Sequence, residues 1–450
     1  MHMRALTLTL ALTACATAPA PVPVNLAASA PQAPHEIATR GERDVLFVTL
    51  SGGGARAAAF GLGVLQELRD TPGADSRPLT DHIALVSSVS GGSITAAYFG
   101  LHGAAGLDNF RAAYLDKNWA GDLNTSFLAP MNWTRAWSGA LNGPNRFADW
   151  LDAEVTGGAR LGDLAAGPQI WLNATDLYNG TTFAFTPLYF DAVCADLASV
   201  RAADAIAASM AFPMVFRPVL IEPHPETCAP LPRWAAAALT DRAATSLERV
   251  TARAFASYRD PAQLRYVHLG DGGIVDNLGL SSITLLRDSA AAPNAPLSAR
   301  DAARLRRLTV LVVNAEKTRS AAWRNEAQGP NGPETLDALL DIYIEDGNRD
   351  AYDIFRAALE AWRAELVAWR CALPADEALA LTAGLADWAC ADVTLSADMV
   401  SFRDFEAPQR DRLGAIATSV TIEAADIDAL IEGGRAGVRM NAAVRAFAQP

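Results

Sequence analysis

Ile83-Ala84-Leu85-Val86-Ser87-Ser88-Val89-Ser90-Gly91-Gly92-Ser93-Ile94-Thr95-Ala96-Ala97-Tyr98-Phe99-Gly100 is the stretch on which the fold turns. Its first four residues are apolar and partly β-branched, as in a buried strand. From Ser93 onward the run reads as the opening of a helix, so the serines and glycines between must reverse the chain sharply. A serine flanked by small residues at such a turn has the pattern of a nucleophile elbow, with Ser90 at its tip. The helix that follows aims unpaired N–H groups and partial positive charge at the turn. That suits an oxyanion developing beside Ser90.

Upstream, Asp44 to Leu50 reads as a central strand and Ala57 to Leu68 as a helix with Phe60, Val64, Leu65 and Leu68 on one face. Between them lies Ser51-Gly52-Gly53-Gly54-Ala55-Arg56. Contiguous glycines present several backbone N–H groups together, either to a phosphate or to an oxyanion. No Gly-Lys-Ser/Thr follows, which excludes a Walker loop, and the glycines lack the spacing of a dinucleotide fingerprint. Beside a serine elbow the oxyanion reading is favoured. Its candidate donors are Gly52, Gly53, Gly54 and Gly91, with Arg56 adding positive charge or pairing a structural carboxylate.

Downstream, Arg265 to Gly273 is a strand that ends in Asp271-Gly272-Gly273. Chemistry in parallel α/β sheets gathers at the carboxyl ends of strands, so a glycine cradle, Ser90 and Asp271 are expected to converge on one edge. His268 lies three residues before Asp271 on an alternating strand and so faces the other side of the sheet. It reads as structural, and Asp271 itself as the base for Ser90. Further strands are read at 169–176, 181–187 (a hairpin partner), 214–221, 308–314 and 392–405, and helices at 204–211, 335–369 and 427–447. Trp119, Trp133, Trp137 and Trp150 fit either a packed core or a lipid-facing lid.

The chain has 450 residues, a net charge of −13 and only two lysines, Lys117 and Lys317. An acidic chain without a basic stripe argues against a nucleic-acid partner and against binding anionic membranes by charge alone. Beyond the amino terminus no apolar run is long enough to span a bilayer. Of five cysteines, setting Cys15 aside leaves Cys194, Cys228, Cys371 and Cys390. Proximity suggests Cys194 with Cys228 and Cys371 with Cys390, and free buried thiols are the alternative. No metal-binding pattern occurs, and no cofactor is expected.

The amino terminus resembles a bacterial lipoprotein signal. Arg4 precedes the apolar run 5–11, and Leu12-Thr13-Ala14-Cys15 matches a lipobox. The resemblance implies a signal peptide over 1–14, acylation of Cys15, and anchoring in the cell envelope, at the outer membrane facing the periplasm. Residues 15–42 are Pro/Ala-rich and read as a disordered tether.

Taken together, the three glycine-bounded stretches resemble the patatin-like phospholipase family. Ser51-Gly52-Gly53-Gly54-Ala55-Arg56 matches its oxyanion loop, Ser88-Val89-Ser90-Gly91-Gly92 its elbow and Asp271-Gly272-Gly273 its aspartate motif. Asn173-Ala174-Thr175-Asp176 and Ala208-Ser209-Met210-Ala211-Phe212-Pro213 are weaker echoes. The resemblance implies a three-layer α/β/α fold with a central, mostly parallel sheet. A catalytic domain over 43–315 is followed by a mainly helical extension, 316–450, packed on the same domain. It further implies a Ser–Asp dyad acting on membrane lipids as phospholipase or lysophospholipase. Ser88 departs from the family's G-x-S-x-G, where a glycine is usual, and Ala57 replaces a frequent glycine. Two other readings stay open: acyl transfer to another lipid, and a non-catalytic envelope lipoprotein that binds lipid or a protein partner.

Overall fold

The computed structural model of the chain describes residues 22–30, 32, 35–123, 146–213, 215–317 and 322–449. Strands β1 (Asp44–Leu50), β2 (Ile83–Val89), β3 (Gln169–Asp176), β4 (Thr181–Ala184), β5 (Val219–Ile221), β6 (Val267–Asp271), β7 (Arg307–Asn314) and β8 (Thr394–Ser401) form one sheet. The block β3-β2-β1-β7-β8 is parallel throughout. On β3, β4 and β6 pair antiparallel, and β5 joins β6 antiparallel. The sheet is therefore mixed and mostly parallel, the middle layer of an α/β/α fold. Its central strands are near-continuous apolar runs with no exposed side, as burial between two helical layers requires: Val45 to Val48 and Val310 to Val312 are fully buried.

The helices that matter to the site are α1 (Gly54–Asp70), α2 (Gly91–Gly106), α3 (Ala202–Ser209), α4 (Gly332–Ala372) and α5 (Ala424–Met440). The residues after 315 are built into the same core. β8 pairs along the whole of β7, and α5 lies against α1, where Arg439 Nη1 meets Glu67 Oε2 at 2.9 Å. Disulfides join Cys194 to Cys228 and Cys371 to Cys390. No helix among the described residues is long and apolar enough to cross a membrane.

Several expectations need correction, among them the strand read at 392–405, which ends at Ser401, and the helix read at 427–447, which breaks at Asn441. β2 runs to Val89 rather than Val86, because Ser87 and Ser88 continue it with satisfied hydroxyls: Ser87 Oγ donates to Gly279 O (2.7 Å) and Ser88 Oγ to Trp171 O (3.0 Å). Of the strand read at 214–221, only Val219–Ile221 pairs. The run read as a strand over 181–187 stops at Ala184, and a helix begins at Pro187, where proline suits the first turn. The tether reading fails for the described residues from Val22 onward: Val24 N–H donates to Leu220 O (3.0 Å), Asn25 and Glu222 exchange two hydrogen bonds, and Ile37 is fully buried. Proline and alanine content hid the apolar residues and free N–H groups that dock this segment. The signal segment 1–14, Cys15, Trp133 and Trp137 lie outside the described residues. Trp119 is core, stacked on Phe147 at 5.0 Å.

Candidate active site

The site is made where two strands approach each other along a third. β2 ends with Val89 opposite Asn173 of β3, and β6, running the other way, ends with Asp271 opposite Ala174. Asp271 thus reaches the site on an antiparallel strand, not by sharing the direction of β2 as expected. β3 makes this possible by running three residues past the end of β2.

Ser90 follows immediately, with φ 49° and ψ −122°. A positive φ is unfavourable for a residue with a Cβ, by about 1–3 kcal/mol, and survives only where the surroundings hold it. Here Ser90 N–H donates to Ser209 Oγ (2.8 Å) at the end of α3, and that hydroxyl donates to Asn173 O (2.6 Å). Ser93 Oγ sits between neighbours, 2.9 Å from Ser209 Oγ and 3.2 Å from Ser88 Oγ. Sequence reasoning does not single out Ser209 and Ser93 as site residues. Ser209 lay within a family echo, but nothing in an alanine-rich helix says that one hydroxyl will brace a turn 119 residues away.

Ser90 Oγ donates to Asp271 Oδ2 at 2.8 Å, and Gly273 N–H donates to Asp271 Oδ1 at 2.8 Å. The backbone of Asp271 is pinned on both sides, by Thr175 Oγ1 on its carbonyl (2.8 Å) and by Ala211 O on its N–H (3.0 Å). Burial pushes the carboxyl up to about 6, with the Ser90 hydroxyl and Gly273 N–H pulling the other way. A carboxylate in that range can accept a proton near neutral pH, which an ordinary one does poorly. His268 is exposed and plays no part in this arrangement.

The glycine loop and the elbow meet at the amino ends of α1 and α2. A Cβ on Gly91 would lie 2.0 Å from Gly54 O, and one on Gly54, whose φ is 60°, 2.3 Å from Ser419 O. Only glycine permits either approach. The N–H groups of Gly53, Gly54 and Gly91 have no protein acceptor among the described residues, as befits helix first turns. Two expected members of the cradle are otherwise engaged. Gly52 N–H donates to Asn277 O (3.2 Å), so that glycine serves close packing against Ser90 rather than donation. Arg56, fully within the protein, donates Nε to Ala315 O (2.8 Å) and Nη1 to Ile416 O (2.7 Å). Burial lowers its pKa to about 10, and its partners are carbonyls rather than a carboxylate. Arg56 acts here mainly as a clamp between the glycine loop and residues outside the elbow.

Ser88, the departure from the usual elbow, fits without a positive φ, and its hydroxyl is bonded. Ser88→Ala should keep activity within about threefold while lowering stability by about 1 kcal/mol, since Trp171 O loses a buried donor. Steady-state kinetics with chemical denaturation checks both.

Ser90 and Asp271 open into a pocket of about 180 Å³ that Phe212, Asn277 and Tyr343 help to line. Lys317 and Asp341, 3.1 Å apart, face it from the segment after 315. Glu42, Asp75 and His82 bring three ligand-type atoms within 4.8 Å of one another. Arg77 already engages both carboxylates at 2.7 Å, next to the start of β1 and apart from the pocket.

A family model for patatin-like phospholipase matches residues 48–283, just over half of the chain. The match takes in the glycine loop, Ser90, Ser209 and Asp271. No curated protein matches the chain.

Proposed function

The chain belongs to the patatin-like phospholipase family, a family of lipid hydrolases, and from that premise we propose that it is a serine acyl hydrolase working through Ser90 and Asp271. The observation that carries the reading is the 2.8 Å hydrogen bond from Ser90 Oγ to Asp271 Oδ2, on a strained turn flanked by two helix amino ends. Asp271 takes the hydroxyl proton as Ser90 Oγ attacks the ester carbonyl. Gly53, Gly54 and Gly91 N–H groups hold the tetrahedral oxyanion. Its collapse breaks the ester bond, and the departing alkoxide takes the proton from Asp271. Water then repeats the sequence on the acyl-enzyme, losing a proton to Asp271, and the freed Ser90 recovers it as the fatty acid leaves. With a lipid hydroxyl in place of water the same steps give acyl transfer, and product analysis separates the two.

The test is covalent. A fluorophosphonate probe should label the wild type at Ser90 and leave Ser90→Ala unlabelled. An unlabelled wild type would instead favour the non-catalytic binding reading, whose motive, crowding at Ser88, finds no support in the geometry of that residue. For the amino terminus the proposal remains a lipoprotein signal with acylated Cys15, which would hold the enzyme at the outer membrane among its substrates.

The base must be ionised to work. kcat/KM should therefore fall about tenfold per pH unit below about 6 and level off above it, set by the raised pKa of Asp271. A profile flat down to pH 5 on a soluble ester would remove Asp271 from the role.

A further inference from the structure

α4 leaves apolar side chains in solvent where a surface helix ordinarily carries polar ones. Leu339, Ile342 and Tyr343, at spacing i, i+3, i+4, are 58, 46 and 60 % exposed, so they share one face. With Ile274 and Val275, the residues just after the Asp271-Gly272-Gly273 turn, they line a groove of about 510 Å³. This groove is continuous with the pocket of Ser90 and Asp271: Gly273, Ile274, Asn277, Tyr343 and Ile344 line both. An apolar strip of this kind beside a reactive pocket marks a place for an apolar ligand.

The charges on the walls choose between the two halves of a lipid. Asp276, Asp346 and Asp350 line the groove, and no lysine or arginine does among the described residues. Three carboxylates and no cation among the described lining residues disfavour a phosphate head group there, whereas a hydrocarbon chain gains from each methylene taken out of water. We propose that this groove is the acyl-chain site, with Leu339, Ile342 and Val275 setting a preference for long-chain esters. The proposal rests on the acyl-hydrolase reading. It assigns chain selection to α4, which lies outside the residues 48–283 that the family match covers.

The experiment compares kcat/KM for the nitrophenyl esters of dodecanoate and butyrate, both as monomers in solution. Leu339→Asp and Ile342→Asp should each lower the dodecanoate-to-butyrate ratio at least tenfold. Ile354→Asp, on the same helix, 63 % exposed and outside the groove, should leave the ratio as it is. A second arm needs no turnover: dodecanoate titrated calorimetrically into Ser90→Ala protein should bind at least tenfold more weakly once Leu339→Asp is added. Ratios and affinities indifferent to Leu339 and Ile342 overturn the groove and leave the hydrolase reading intact. Absent turnover with Leu339-dependent binding overturns the hydrolase reading and leaves the groove.

Discussion

Ser90→Ala is expected to lower kcat on the order of 10⁴-fold or more, and Asp271→Asn by a comparable factor, because each removes one member of a pair that acts as a unit. The two variants should differ in stability. Asp271 has its pKa raised from the ordinary 3.8 to about 6 by burial, so the fold disfavours the charged form. The cost is absent below about pH 4, grows as pH rises through 6, and is complete above it. An asparagine keeps the shape, accepts from Gly273 N–H and donates to Ser90 Oγ without carrying charge. Asp271→Asn should therefore melt at or above the wild-type temperature at pH 8, with the advantage gone near pH 4. Ser90→Ala leaves the carboxylate buried without its hydroxyl donor and should gain nothing at pH 8. Calorimetry at the two pH values, beside initial rates, reads this directly. A fully active Asp271→Asn would end the base assignment, and an inactive but strongly destabilised one would reduce Asp271 to a structural part.

Gly91→Ala carries the next largest effect. The added Cβ would sit 2.0 Å from Gly54 O and 2.6 Å from Gly54 C, and these are backbone atoms with no side chain to swing aside. Either α2 or the glycine loop has to move, and the N–H groups proposed to hold the oxyanion move with it. Misplacing one such donor costs about 2.7–4 kcal/mol of barrier, so activity should fall about 100- to 1000-fold. Overpacking should also lower stability by about 1–3 kcal/mol. Gly167→Ala is the control, since nothing lies within 4 Å of its added Cβ, and it should leave both measurements within about a factor of two. Retention of full activity by Gly91→Ala, with an unchanged melting temperature, would mean that the cradle is not where it is drawn.

Much of this was legible in the residues because local chemistry dictated it. Apolar runs ending in glycines announced β1, β2 and β6, and a serine between small residues announced the elbow. What escaped depended on partners far away in sequence. Whether β6 runs with or against β3 is decided by pairing, since a five-residue strand reads the same either way. Gly52 and Gly53 look alike as neighbours, but only the fold puts Asn277 O against the first of them. Arg56 could be seen as a charge at the site, yet its real partners, Ala315 and Ile416, lie more than 250 residues on. Ser209 could not be told from any other small residue on α3 until its hydroxyl was found beneath the elbow. The docking of Val24, Asn25 and Ile37 is hidden for a related reason: composition describes a free chain well and a docked one poorly.

Because Val89 and Asp271 finish at adjacent positions on β3, the spacing of hydroxyl and carboxylate is set by a ladder, with Ser209 holding the turn that carries Ser90. Of the 90 residues between β3 and β6, those that touch this pair are few: Ser209 and Ala211 hold its two ends, and β4 and β5 flank the ladder. A slip of one rung would break the spacing, carrying Asp271 along by about 3.4 Å and turning its side chain to the opposite face. Insertions should thus be least tolerated within the three pairs that lock Leu269, Gly270 and Asp271 to their partners and between α3 and Ala211, and best tolerated in the exposed connection 240–245.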